Sequence, residues 1–239
     1  MEIAHYYLKM KYLILLLILL INFNCSNTKD IEKSKEFMSL GEYSIAVDIL
    51  EKIIDNNVKD IEAMNLLGIS YYELKKFKES EELFTQLIEI NKNYKYYYNR
   101  GNARIELNKL SESITDFTYA LDLNPNEADI YINRGNSYYR NKNYNKALED
   151  FQKASEIETK NYKTYYFMAK TEFLLDKFDI AIYNLEKSVT LNPKFTDGYF
   201  WLGLAYIQTN KSKEGCLTLK KAKELGHINA EEAIAANCL

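Results

Sequence analysis

A short sequence segment recurs at a regular interval along this chain, and its register constrains the fold more than any other feature of the sequence. The hexapeptide Tyr-Tyr-Asn-Arg-Gly-Asn at 97–102 returns as Tyr-Ile-Asn-Arg-Gly-Asn at 131–136. The small residue within it recurs at a nearly constant spacing, at Ser34, Gly68, Gly101, Gly135, Ala169 and Gly203. A period of about 34 residues is typical of stacked copies of one supersecondary unit. The sequence therefore predicts an array of about six units.

Two further slots keep the same register and predict helical hairpins. Small residues follow twelve positions after the first slot, at Ala46, Ser80, Ser113, Ala147, Ala181 and Gly215. Bulky apolar residues follow four positions later, at Leu50, Phe84, Phe117, Phe151, Leu185 and Leu219. The small residues would let two antiparallel helices of about 13 residues approach closely, and the bulky ones would fill the space between adjacent hairpins. Pro125 and Pro193 share one slot, where each would end a second helix.

This pattern resembles the tetratricopeptide repeat, whose motif places Trp or Tyr, Leu, Gly, Tyr, Ala, Phe, Ala and Pro at fixed offsets. The resemblance implies an all-α, right-handed superhelical solenoid of about six hairpins with a C-terminal capping helix at 230–239. The array would occupy 34–229, with repeats near 27–60, 61–93, 94–127, 128–161, 162–195 and 196–229. A weak first helix is expected in repeat 1, because Asp30 and Lys33 occupy apolar slots. Looser packing is expected where Arg104 and Glu172 replace the usual Tyr.

The resemblance also implies a concave groove lined by the first helices, which would bind a protein or peptide partner. The predicted groove residues are rich in Tyr and Asn, which suit contact area and backbone hydrogen bonds. They are Tyr98, Asn99, Asn102, Asn133, Asn136, Tyr139, Lys163, Tyr166 and Lys170. Some family members clamp a partner's terminal carboxylate, and Asn102, Asn133 and Lys163 match that pattern, but Tyr98 and Phe167 replace two of its cations. The alternative is that the Asn side chains serve hydrogen bonds between helices.

The amino-terminal residues do not follow the repeat and are predicted to be a targeting segment. Lys9 and Lys11 precede the apolar run 12–21, whose length of about 15 Å as a helix favours a signal peptide over a membrane span. Cys25 follows four residues later, which resembles a lipoprotein signal with Asn in two of its usual apolar or small positions. The prediction is a signal peptide at 1–24, lipidation of Cys25 and a polar tether at 25–33. Plain secretion and an uncleaved anchor remain alternatives, as does a start at Met10.

The remaining composition weighs against catalysis, metal binding and nucleic-acid binding. The net charge is −3, and a sequence-independent nucleic-acid binder is usually basic. There is no phosphate-binding glycine loop, no nucleophile motif, and His227 is the one histidine outside the targeting segment. No cofactor and no metal are therefore expected. Cys216 and Cys238 are either joined by a disulfide or present as two buried thiols.

Together these features predict a non-enzymatic scaffold for protein–protein interaction. It would be tethered to a bacterial membrane in the cell envelope, facing the periplasm or exterior, and would bind segments of envelope or secreted proteins. A cytosolic adaptor or co-chaperone is the alternative if the amino-terminal segment is not a signal, and an enzyme is a remote one.

Overall fold

The computed structural model describes residues 27–56 and 60–238, and these residues contain thirteen α-helices and no strand. The predicted all-α class of antiparallel hairpins is thus confirmed. The chain divides into two compact units between Leu107 and Asn108. The predicted signal peptide at 1–24 and the lipidation site Cys25 lie outside the described residues.

The described residues of the first unit, 27–56 and 60–107, contain five helices, which pack in sequence order. They are α1 at 27–39, α2 at Tyr43–Asn56, α3 at Ile61–Glu73, α4 at Phe77–Ile90 and α5 at Tyr94–Glu106. Helix α3 packs against both α2 and α4, and α4 packs in turn on α5. Helices α3 and α5 begin at the residues where the predicted second and third repeats begin.

Helix α1 corrects the prediction of a polar tether at 25–33 and of a weak first helix. The residues from 27 onward are helical, and Ile31 and Ser34 are buried. Ile31 packs in one apolar cluster with Val47 and Leu50 of α2. Asp30 and Lys33 do not interrupt the helix, because Phe37 and Met38 pack against the same cluster as Ile31 and hold the helix in place.

The second unit contains eight helices, again arranged as consecutive antiparallel neighbours. They are α6 at Leu110–Leu123, α7 at Ala128–Arg140, α8 at Tyr144–Ile157, α9 at Tyr162–Leu174, α10 at Phe178–Leu191, α11 at Thr196–Gln208, α12 at Ser212–Glu224 and α13 at Ala230–Asn237. The last, α13, packs mainly on α12 and also touches α11, with Ala230 fully buried. Within the described part of the chain, every helix is too short or too polar to cross a bilayer.

A residue in the left-handed backbone region ends the first helix of every hairpin. These residues are Gly41, Lys75, Asn108, Lys142, Asp176 and Asn210, with φ between 56° and 78°. In the α7–α8 turn, the Lys142 N–H donates to the Tyr139 carbonyl and the Asn143 N–H to the Tyr138 carbonyl. This pattern closes the helix end and turns the chain sharply into the second helix. Only Gly41 of the six lacks a Cβ, so the other five positions carry conformational strain.

The small and bulky slots meet at three glycines, where Gly68 faces Phe84, Gly135 faces Phe151 and Gly203 faces Leu219. All six bulky residues of the slot that contains Phe151 are fully buried. A Cβ added to Gly135 would lie 2.7 Å from a ring atom of Phe151, so the two helices touch at the glycine. Phe151 also stacks on Phe167 of the next hairpin, with ring centroids 5.6 Å apart. The bulky residue therefore joins helices within a hairpin as well as adjacent hairpins, which widens the role predicted for it.

The Arg of the Asn-Arg-Gly-Asn segment has a structural function. Arg134 of α7 forms two parallel hydrogen bonds to the Asp150 carboxylate of α8, at 2.9 and 2.8 Å. Its third contact reaches back to the Thr118 hydroxyl of α6 at 3.1 Å. Because planar guanidinium groups suit such paired contacts, Arg134 links three consecutive helices.

The positions where Arg104 and Glu172 replace Tyr are not loosely packed, contrary to expectation. Arg104 donates to Glu81 of α4 at 2.9 Å. Glu172 is buried in α9 and accepts two hydrogen bonds from the Asn184 side chain of α10, at 3.1 and 2.8 Å. Polar pairing replaces the aromatic contact at both places.

Candidate functional site

Three of the predicted groove residues line one cavity in the first unit. This cavity, of about 210 Å³, lies between the first helices α3 and α5. Its lining combines aromatic and aliphatic surface with two amides and one carboxylate, from Ile69, Tyr72, Glu73, Phe84, Tyr98, Asn99 and Asn102. The predicted proximity of Tyr98, Asn99 and Asn102 is therefore present in the structure.

The helix register explains why these side chains converge. Asn99 and Asn102 are three residues apart on α5, and Ile69 and Tyr72 are three apart on α3, so each pair lies on one helix face. Burial and the charge of Glu106 raise the pKa of Tyr72, so its hydroxyl stays protonated at neutral pH and can donate a hydrogen bond. The floor of the cavity is the ring of Phe84, which is fully buried against Gly68.

In the second unit, the predicted groove residues differ in accessibility. Asn133, Asn136, Tyr139 and Lys170 are partly exposed, and Lys163 is exposed at the start of α9. The structure corrects the prediction that Tyr166 lines the groove. Only 7% of this residue is exposed, so it cannot offer the face of its ring to a partner. Its ring packs edge-on against Phe195, with centroids 4.9 Å apart, because the chain after α10 folds back onto α9.

Lys170 lies at the centre of the second unit's first-helix face. Its ammonium nitrogen is 5.3 Å from the ring centroid of Tyr139, 5.7 Å from that of Tyr166 and 5.5 Å from that of Trp201. These rings belong to three consecutive first helices, α7, α9 and α11. Burial lowers the pKa of Lys170, and the charge of Asp197 opposes that shift. Distances below about 6 Å allow each ring to attract the ammonium group.

Sequence reasoning did not identify Asp197 and His227, which adjoin this face. The His227 Nε2 atom lies 3.5 Å from Asp197 Oδ1, and its ring stacks on Phe200 with centroids 4.0 Å apart. The Asn229 backbone N–H donates to His227 Nδ1, and Nε2 is the ring nitrogen that faces Asp197. Asp197 occupies the slot that Lys163 occupies in the preceding repeat. This reversal of charge is visible in the sequence and could have drawn attention to Asp197.

The two remaining cysteines lie at the carboxyl-terminal end of the second unit. Cys216 is on α12 and Cys238 directly follows α13, with Cα atoms 5.6 Å apart and sulfur atoms at 2.05 Å. Across residues 27–56 and 60–238, no three His, Cys, Asp or Glu side chains are placed to hold a metal ion together.

Comparison with known proteins gives curated relatives with short matched regions, and two of them illustrate the extent of the match. Human RNA polymerase II-associated protein 3 is 32% identical over 96 residues, which is 40% of this chain and 14% of that protein. A Dictyostelium discoideum DnaJ homolog subfamily C member 7 homolog is 30% identical over 79 residues, which is 31% of this chain and 15% of that protein. The matched regions thus span about a seventh of each relative's length.

Solved structures share the fold at low sequence identity. The C-terminal part of a TPR repeat-containing protein from Cytophaga hutchinsonii has a TM-score of 0.71 at 18% identity, covering 87% of both chains. YrrB, described as a TPR protein with an unusual peptide-binding site, has a TM-score of 0.65 at 17% identity, covering 78% of this chain and 97% of that one. The APC/C hetero-tetramer Cut9–Hcn1 has a TM-score of 0.76 at 13% identity, covering 89% of this chain and 43% of the other.

Family profiles match four stretches of the chain. Three of these profiles are described as "Tetratricopeptide repeat", and they match residues 61–94, 128–161 and 196–225. A fourth, "TPR repeat", matches 101–142. The profile matches at 61–94, 128–161 and 196–225 each begin at the first residue of a first helix, α3, α7 or α11. Together with the helical hairpins, they establish that this chain is built of tetratricopeptide repeats.

Proposed function

We propose that this chain is a protein-binding scaffold that holds a peptide segment of its partner against the side chains of its first helices. The observation that carries the proposal is the cavity between α3 and α5. Its volume of about 210 Å³ is below the roughly 300–1,000 Å³ of small-molecule sites, but it can hold one large side chain. This size favours a peptide over a metabolite.

The lining of the cavity suits an apolar side chain of the partner peptide, together with hydrogen bonds to the backbone of the same residue. Ile69, Tyr72 and Tyr98 supply apolar surface, and aromatic rings give large contact area at low cost in side-chain entropy. The Asn99 amide offers a donor and an acceptor, which is the pairing that a peptide backbone requires, and Asn102 lines the same cavity.

A capped peptide library tests this proposal. The full chain is incubated with a position-scanning library of octapeptides, acetylated and amidated at their ends, and selected peptides are titrated. We expect Tyr98→Ala with Asn102→Ala to weaken binding at least about tenfold, the loss typical of a binding hot spot. Tyr183→Ala is the matched control, since Tyr183 is 64% exposed on the second helix α10. Equal binding by both variants would exclude the cavity as the peptide site.

We also propose that the scaffold is anchored in a bacterial cell envelope by a lipid on Cys25. The support is sequence: the apolar run 12–21, with Cys25 four residues beyond it and polar residues after. Several acyl chains on one Cys would hold the protein stably at a membrane, since each buried methylene contributes about 0.8 kcal/mol. Fatty-acid labelling of the wild type and of Cys25→Ala decides this, because a label that persists without Cys25 contradicts the anchor.

A disulfide between Cys216 and Cys238 agrees with that location. The Cα separation of 5.6 Å falls in the usual range for disulfides, and such bonds persist in oxidising compartments. Alkylation followed by mass measurement, with and without reductant, shows whether the two thiols are bonded. A cytosolic adaptor would instead carry two free thiols and no lipid.

A further inference from the structure

Lys170 is held in an aromatic cage formed by Tyr139, Tyr166 and Trp201. The three rings come from α7, α9 and α11, and each centroid lies within 5.7 Å of the ammonium nitrogen. The side chain is half-buried, so part of its hydration is lost. Ring faces attract a cation but accept no full hydrogen bonds, so the cage holds the charge in place without neutralising it.

The surrounding charges leave this ammonium group available to an outside anion. Asp197 is the carboxylate whose charge acts on Lys170. However, Asp197 faces His227, with Oδ1 at 3.5 Å from Nε2, and half of its side chain is exposed to solvent. Lys170 therefore combines reduced hydration, which strengthens its attraction to a ligand carboxylate, with partial exposure, which lets that carboxylate reach it.

We propose that Lys170 and its cage bind an internal Asp or Glu side chain of the partner peptide. The carboxylate would accept a hydrogen bond from the Lys170 ammonium group, while the partly exposed rings of Tyr139 and Trp201 would contact the methylene groups of the same residue. This inference rests on the proposed function, because it presupposes that the chain binds a peptide, and it adds the chemistry of one recognised residue.

An internal side chain is favoured over a chain-terminal carboxylate by the donors present. A terminal carboxylate has two oxygens with about four acceptor sites, and it is best bound by several cations or by a guanidinium fork. The cage supplies one cation, and the neighbouring aromatic residues Phe167 and Phe173 add none. An acid carried on a flexible side chain can reach this single cation while the peptide backbone stays at the surface.

The cage contains the chain's single tryptophan, which gives a direct optical signal. A carboxylate that reaches Lys170 enters the surroundings of Trp201 and should change its emission. The probes are peptides selected from the capped octapeptide library, each paired with its Asn or Gln isostere and with an uncapped version bearing a terminal carboxylate.

We expect the acidic peptides to bind about 10–100-fold more tightly than their amide isosteres, the range for one charge-assisted hydrogen bond. Lys170→Met should remove this preference, and Lys170→Arg should retain it. Lys153→Met is the control, since Lys153 is 60% exposed on the second helix α8 and lies outside the cage. The acid-to-amide ratio in the wild type is informative even if Lys170→Met unfolds.

The outcomes separate the two proposals. Absence of any peptide binding overturns the proposed function and this inference with it. Peptide binding without acid preference, or with a preference unchanged in Lys170→Met, overturns only the inference. A preference confined to the uncapped peptides would show that the site takes a terminal carboxylate and would also overturn it.

Discussion

Gly135 lies where α7 touches Phe151 of α8, and its replacement by Ala is a direct test of this packing. An added Cβ would be 2.7, 2.9 and 3.1 Å from three ring atoms of Phe151. The ring cannot withdraw, because Phe151 is fully buried and stacked on Phe167. The substitution therefore requires α7 and α8 to separate or the stacked pair to shift.

The expected magnitude follows from two opposing terms. Overpacking a buried core costs about 1–3 kcal/mol, and the upper part of that range applies because the ring is confined. Ala in place of Gly within a helix contributes about 1 kcal/mol in the opposite direction. We expect Gly135→Ala to lower the free energy of unfolding by about 1–2 kcal/mol.

A double-mutant cycle separates the steric term from the helical one. The chain itself suggests the partner substitution, because Ala169 occupies the glycine slot of the next hairpin, where the bulky residue is Leu185. Phe151→Leu alone should cost about 1–2 kcal/mol for the lost volume. In that background Gly135→Ala should be neutral or stabilising by about 1 kcal/mol, which gives a coupling energy of about 2 kcal/mol.

Urea unfolding followed by circular dichroism measures all four forms. Ala169→Gly is the control, and it should cost about 1 kcal/mol, since it removes helix propensity without relieving a clash. If Gly135→Ala costs the same with Phe151 and with its Leu replacement, the steric explanation is wrong.

Two further predictions concern burial and backbone strain. Burial raises the pKa of Glu172 despite the amide of Asn184, so the folded state binds the proton more tightly and stability is lost as pH rises above about 4.5. Glu172→Gln should therefore stabilise the chain more at pH 8 than at pH 5 in urea unfolding. Lys142 has φ of 60°, so Lys142→Gly should raise the free energy of unfolding by about 0.5–1 kcal/mol, and Lys142→Ala should not.

The repeat register could be predicted because it depends on local spacing. Every residue of the small and bulky slots predicted from the sequence is buried, from Ser34 and Leu50 in the first hairpin to Gly203 and Leu219 in the last. Close contact between two helices tolerates only small side chains, and each position repeats with the period of the hairpin. Helices α3, α7 and α11 begin at Ile61, Ala128 and Thr196, the residues at which the second, fourth and sixth repeats are predicted to begin.

Polar pairing between slots could not be predicted from position alone. Arg134 pairs with Asp150, whereas in the next hairpin Met168 and Asn184 occupy those two slots and Asn184 pairs with Glu172 instead. Each side chain has several rotamers, and the partner it selects depends on which acceptor is within hydrogen-bond distance. The expectation of loose packing at Glu172 failed for this reason.

For the candidate binding residues, too, the sequence determines one part of the answer and tertiary packing determines the other. The period places Tyr98, Asn102, Tyr139, Tyr166 and Lys170 on first helices without the structure. Tertiary packing decides that Tyr166 is buried and that Lys170 is surrounded by three rings. A position in the repeat determines where on its helix a side chain is attached. The accessibility and the charge environment of that side chain depend on the residues that neighbouring helices place around it.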